Sequence, residues 1–202
     1  MPDTLWDQDH PGIYIRTGTR NKVFFHIVNM ALNEIRMYPV GKGLLRTIAS
    51  IAAMRDEAVK VTIVQRTGRG SSESPQSSQA SYAIKTGNAF TKYRAGEGTS
   101  CTVNWNNEKV KCDGKYRPPF IALAHELIHA LHDIHGATYR PYSGSLADDS
   151  GKAEEEARTV GLGPHVDEPI TENKIRAEHG IALRPSYSGH YFNNVTNSLD
   201  DA

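Results

Sequence analysis

The chain has 202 residues and carries 23 Lys and Arg against 23 Asp and Glu, so its formal net charge at neutral pH is zero. That length fits one domain, and the balanced charge argues against a broad nucleic-acid-binding surface. No apolar run approaches the ~18–20 residues that span a bilayer, and the polar N-terminus MPDTLWDQDH lacks the basic and apolar regions of a cleaved signal peptide.

Residues 1–20 read as an N-terminal segment with scope for flexibility, 21–192 as a single domain, and 193–202 as a polar tail. Between Asn21 and Met37, the residues Phe24, Ile27, Val28, Ala31, Leu32 and Ile35 recur at helical spacing. Tyr38-Pro39-Val40-Gly41-Lys42-Gly43 interrupts that pattern, and a second, well-buried helix is predicted from Leu44 to Met54. Val59, Val61 and Ile63 alternate with polar residues, predicting a half-buried strand over 57–65. The Ser-, Gly- and Gln-rich stretch 67–80 reads as a mobile loop, with room for one strand in 81–93.

Cys101, Val103 and Trp105 alternate with polar residues ahead of Asn106-Asn107, which predicts a hairpin returning through Lys109 to Cys112. The two cysteines read as reduced thiols in neighbouring strands, since a disulfide scaffold needs more of them. Pro118 and Pro119 open a strong helix over 120–135, which Gly136 stops. A further helix is expected through Glu154 to Thr159, ended by Gly161, with largely irregular chain beyond Pro164. The whole predicts an α+β domain: N-terminal helices, a small and mostly antiparallel sheet, then helices.

The chemistry sits on the 120–135 helix, where His125-Glu126-Leu127-Ile128-His129 forms an HExxH motif. Histidines at i and i+4 share a helical face and can bind one Zn²⁺, while Glu126 can act as general base on the metal-bound water. The ion lowers that water's pKa toward ~7, so a carboxylate can take its proton near neutrality. A catalytic zinc needs a third protein ligand. His135 stands at the third-histidine position of a metzincin, although His132 replaces the glycine of that pattern and no methionine follows the motif. Glu154-Glu155-Glu156 offers a carboxylate instead, and Glu156 best shares the apolar edge made by Ala157, Val160 and Leu162. Asp148, Asp149 and Glu155 are candidates to orient the histidines.

His125 to Gly136 (HELIHALHDIHG) resembles the active helix of clostridial neurotoxin light chains, and Glu155 to Gly161 (EEARTVG) resembles their EELRTFG segment. That resemblance makes Glu156 the third zinc ligand. It also matches Arg184-Pro185-Ser186-Tyr187 to an Arg-x-x-Tyr pair, implying that Arg184 and Tyr187 polarise the scissile carbonyl. Tyr139 and Tyr142 are rivals for that role. The chain is far shorter than a light chain. It more closely resembles the NleD-like family of type III secreted zinc metallopeptidase effectors, over residues 20–65 and 115–190 and in the Pro39-Val40-Gly41 turn between its first two helices. The resemblance implies a small zincin-like metalloprotease domain and a zinc endopeptidase delivered into the host cytoplasm. Its implied substrate is a host signalling protein, for family members a mitogen-activated protein kinase. A monomer is expected. Substrate is expected to add as a strand at a sheet edge within 89–105. Two alternatives stay open: a protease using His135 as third ligand, and a non-catalytic zinc-binding adaptor whose site His132 or His135 closes.

Overall fold

The computed structural model describes residues 3–17, 22–56, 58–68, 70–77, 80, 84–85, 93–108, 111–112, 115–139, 150–187, 190–193 and 198–201. Of residues 3, 84–85, 93–94, 111–112, 115, 150–153, 187, 190–193 and 198–201 it describes the backbone only.

Helix α1 spans Lys22–Ile35 and buries the apolar stripe Phe24, Val28, Ala31, Leu32 and Ile35. Helix α2 spans Pro39–Met54 and so starts at Pro39, not at Leu44 as the glycines suggested. Proline is tolerated there because the first helical residue has no intrahelical partner for an N–H. The next orphan donor, the Val40 N–H, is taken by the Glu178 carboxylate, with both oxygens at 3.1 Å. Gly41 is needed because α2 turns back over the end of α1: a Cβ there would lie 1.9 Å from the Ile35 carbonyl oxygen.

The central sheet contains β1 (Asp3–Leu5), β2 (Ile13–Arg16), β3 (Val61–Gln65), β4 (Ser72–Pro75) and β7 (Cys101–Trp105), in the order β1-β2-β3-β7-β4. Residues 1–20 therefore feed the sheet rather than merely preceding the domain. The β2–β3 and β3–β7 pairings are parallel; β1–β2, β4–β7 and every described pairing outside this sheet are antiparallel. β3 and β7 sit between neighbours on both sides, which suits their fully buried Val61, Ile63, Cys101 and Val103.

Two expectations are corrected here. β7 does not form a hairpin with the segment ending at Cys112; it pairs with β3 and β4, while β8 (Lys111–Cys112) turns onto β9 (Lys115–Tyr116). The Asn106 side chain accepts the Glu108 N–H at 2.9 Å, a local turn that leads the chain off the sheet. And the supposed mobile loop 67–80 contains β4, whose Ser-Glu-Ser-Pro composition hides a strand. β4 is the outermost described strand on its side, a position where proline is tolerated. A separate two-stranded ribbon joins β5 (Ile84–Lys85) to β6 (Tyr93–Arg94).

Helix α3 (Pro119–His135) packs against β7, β4, α1 and α2 and is buried along nearly its whole length. It ends at Gly136, with φ 70° and its N–H on the Asp133 carbonyl. Helix α4 (Ser150–Val160) and a 3₁₀ turn at Gly163–His165 follow. Beyond Pro164 the chain is not irregular. Helix α5 (Glu172–Glu178) packs on α3, and Thr171 caps it by accepting the Lys174 N–H at 3.2 Å. The strands β10 (Ser186–Tyr187), β11 (His190–Asn193) and β12 (Ser198–Asp201) form a small antiparallel sheet, which includes part of the expected tail. The architecture is α+β, with α3 as the element that sheet and helices share.

Candidate metal centre

On α3, His125 and His129 are one turn apart, and their rings meet edge to face with centroids 4.9 Å apart. α4 brings Glu156 across from them. Its Oε2 lies 3.2 Å from His125 Nε2 and 3.3 Å from His129 Nε2. One ligand atom from each of the three falls within 4.8 Å of the others. Two imidazole nitrogens and a carboxylate oxygen thus converge on one point, a donor set suited to a divalent metal. Glu126, next along α3, is 7 % exposed.

The three consecutive glutamates of α4 point about 100° apart, and each has a different set of histidine partners. Glu154 bonds His165 at 2.7 Å, Glu155 bonds His132 Nδ1 at 2.5 Å, and Glu156 holds the HExxH pair. Glu155 also accepts the Tyr139 N–H at 2.9 Å, and its Oε1 lies 3.4 Å from His129 Nδ1, where Thr159 Oγ1 sits at 3.3 Å. Glu155 is therefore the carboxylate behind His129. Asp148, Asp149 and the rival Tyr142 lie outside the described residues.

The carboxylate behind His125 escaped the sequence reading. Glu172, at the start of α5, is fully buried and sits 2.8 Å from His125 Nδ1. Its other oxygen accepts Arg176 Nε–H at 2.6 Å, while Arg184 Nη1 lies 3.6 Å from the oxygen that faces His125. Arg184 is held from its backbone too, by a pair of bonds with the Asn173 side chain at 2.7 and 2.9 Å. Tyr187 lies in β10 with its backbone opposite His190, and its side chain is outside the described residues. Tyr139 instead stacks with the Arg158 guanidinium, 4.9 Å from its ring. His135 is exposed on the last turn of α3 and belongs to none of the described candidate ligand groups.

The model of the Peptidase M91 family, described as "Effector protein", matches residues 15–187. The chain belongs to this peptidase family. No curated protein matches it in sequence. Among solved structures it is similar to the botulinum neurotoxin type G light chain, at 16 % identity and a TM-score of 0.44, over 82 % of this chain and 54 % of that one. The chain thus spans about half the length of that light chain.

Electrostatics in this M91 peptidase follow from the pairings. Burial disfavours charge on every group of the cluster. For Glu156 the bonds from His125 and His129 outweigh burial and hold the carboxyl well below the usual carboxylate range. Glu155 and Glu172 are lowered in the same way, chiefly by His132 and by His125. His125 and His129 are raised despite burial, whereas burial dominates at His132 and lowers it. Sequence signals for Glu172 did exist: Thr171 as a helix cap, and Glu172 four residues before Arg176. No helix among the described residues is long and apolar enough to cross a membrane.

Proposed function

We propose that this M91 peptidase is a zinc endopeptidase that cleaves a host protein. One observation carries the reading: His125 Nε2 and His129 Nε2 both meet Glu156 Oε2, at 3.2 and 3.3 Å. Two imidazoles and one carboxylate form the ligand set of catalytic zinc sites that leave a position open. His125, His129 and Glu156 are the ligands in this reading. When bound, the ion supplies Lewis acidity, polarising the substrate carbonyl and acidifying water.

The chain's own residues do the rest. Glu126 takes the proton of the attacking water and delivers it to the leaving amine nitrogen. Glu172 accepts a proton-bearing Nδ1 from His125, which keeps the Nε2 lone pair turned to the centre; Glu155 and Thr159 do the same for His129. By the family resemblance, Arg184 and Tyr187 hold the carbonyl oxygen as charge develops on it; the contact of Arg184 with Glu172 puts its guanidinium on the Nδ1 side of His125. The substrate adds as a strand to β4, because β7 has neighbours on both sides while β4 is outermost among the described strands and packs on α3. By the family resemblance the substrate is a host signalling protein, of the mitogen-activated kinase type, reached after type III delivery.

Elemental analysis of the purified chain tests the reading. About one zinc equivalent per chain lost with Glu156→Ala, and none lost with His135→Ala, supports it. A zinc content unchanged by Glu156→Ala and lowered by His135→Ala overturns the ligand set.

A further inference from the structure

One turn beyond His129, α3 carries Asp133, which faces the sheet rather than α4. There it meets Glu73 of the outer strand β4 and Cys101 of β7, and one ligand atom from each lies within 4.8 Å of the others. Asp133 is 2 % exposed and Cys101 1 %. Thr138 Oγ1 donates to Asp133 Oδ1 at 2.6 Å and fixes that carboxylate. Among the described residues, no donor from outside the cluster reaches Asp133 Oδ2 or Glu73 Oε1; within it, Glu73 pairs only with Asp133 and Cys101. Two buried carboxyls whose remaining oxygens have only each other and a thiol for partners lack a counter-charge within the cluster, which is rare because each costs the desolvation of its group. The thiol of the cluster is free and buried.

We propose that Glu73, Cys101 and Asp133 form a second metal site, separate from the HExxH centre, for a divalent cation of the zinc type. Thiolate with carboxylates is a ligand set that zinc accepts and that the hard cations magnesium and calcium do not favour. Glu73 lies on the outermost described strand and is only partly buried, which gives the ion an entry path from the sheet edge. Burial, then the negative Asp133, pushes Glu73 up to about 10, and burial with the two carboxyls raises the Cys101 thiol well above its ordinary value. Binding therefore releases the Glu73 and Cys101 protons, and the cation replaces them as the counter-charge. The ion ties β4 to β7 and α3, fixing the strand on which the proposed substrate would lie.

Cobalt(II) added to the metal-free chain tests this, because the HExxH centre contains no sulfur. The expected result is a thiolate-to-cobalt charge-transfer band that persists in Cys112→Ser and in the double variant His125→Ala/His129→Ala. That double variant keeps this test independent of the zinc peptidase reading. Cys101→Ser abolishes the band. Asp133→Asn leaves the thiol in place and weakens cobalt binding at this site by at least the roughly 10–100-fold that loss of an outer partner costs. A wild-type chain that shows no band at saturating cobalt, or a band that disappears with Cys112→Ser, overturns the proposal. In that case the cluster is a protonated carboxyl pair beside a thiol.

Discussion

Glu172→Gln isolates the residue on which the HExxH centre leans. The change keeps shape and volume. In the parent, one oxygen accepts from His125 at 2.8 Å and the other from Arg176 at 2.6 Å, with Arg184 at 3.6 Å. A glutamine has one acceptor for these two donors, so its amide N–H must face either His125 Nδ1–H or Arg176 Nε–H. The negative charge also disappears from a fully buried position between two buried arginines. Removing one partner of a buried ion pair costs about 3–5 kcal/mol. For a chain of this size that lowers the melting temperature by roughly 6–20 °C. Loss of an outer hydrogen bond to a metal-ligating histidine weakens metal affinity by about 10–100-fold. Thermal melting of the metal-free variant reads the first effect, and competition for zinc against a chromophoric chelator reads the second. A variant with both parental melting temperature and parental zinc affinity would refute the reasoning.

Glu126→Gln is expected to keep its zinc and to lose peptide cleavage by roughly 10²–10⁴-fold, the usual contribution of a general base; cleavage at the parental rate sinks that assignment. Gly41→Ala forces a methyl group to within 1.9 Å of the Ile35 carbonyl oxygen, so urea denaturation should show a loss of roughly 1–3 kcal/mol, the ordinary cost of overpacking. In metal-free protein, Glu73 has an ordinary value of 4.5 and a folded value of about 10. The folded state binds the extra proton across that window, so stability from this group is complete below 4.5 and falls as pH rises toward about 10. Glu73→Gln should flatten the decline between neutral and alkaline pH and leave the variant the more stable form at the alkaline end. A parental slope in its urea midpoints contradicts the assignment.

The sequence was most legible where one helix carried everything. α3 showed its proline start, its glycine stop and both histidines, because all depend on local spacing. The divergence of consecutive helical residues singled out Glu156, which the structure places beside both histidines, but it gave no sign that Glu155 is buried as well, at 6 % exposure against 9 %. β1, β2 and β4 are short, and β4 lacks apolar alternation, so a strand made by pairing with β7 left no local trace. β7 was recognised as a strand but given the wrong partner, because alternation encodes burial and not neighbours. Glu172 was missed for the same reason: a seven-residue helix in a polar stretch gains its order from packing on α3.

The Val40–Glu178 contact closes the chain over a separation of 138 residues, and the His125–Glu172 contact over 47. During synthesis, α1, α2, α3 and the glutamates of α4 all leave the ribosome before either partner exists. Until α5 follows, His125 lacks its Glu172 partner and the Val40 N–H lacks its Glu178 acceptor. The nascent chain therefore carries the His125, His129 and Glu156 cluster before the carboxylate that braces it, and α5 is the last described helix to join. That bracing comes only when this helix docks, with β10, β11 and β12 still to follow in the chain.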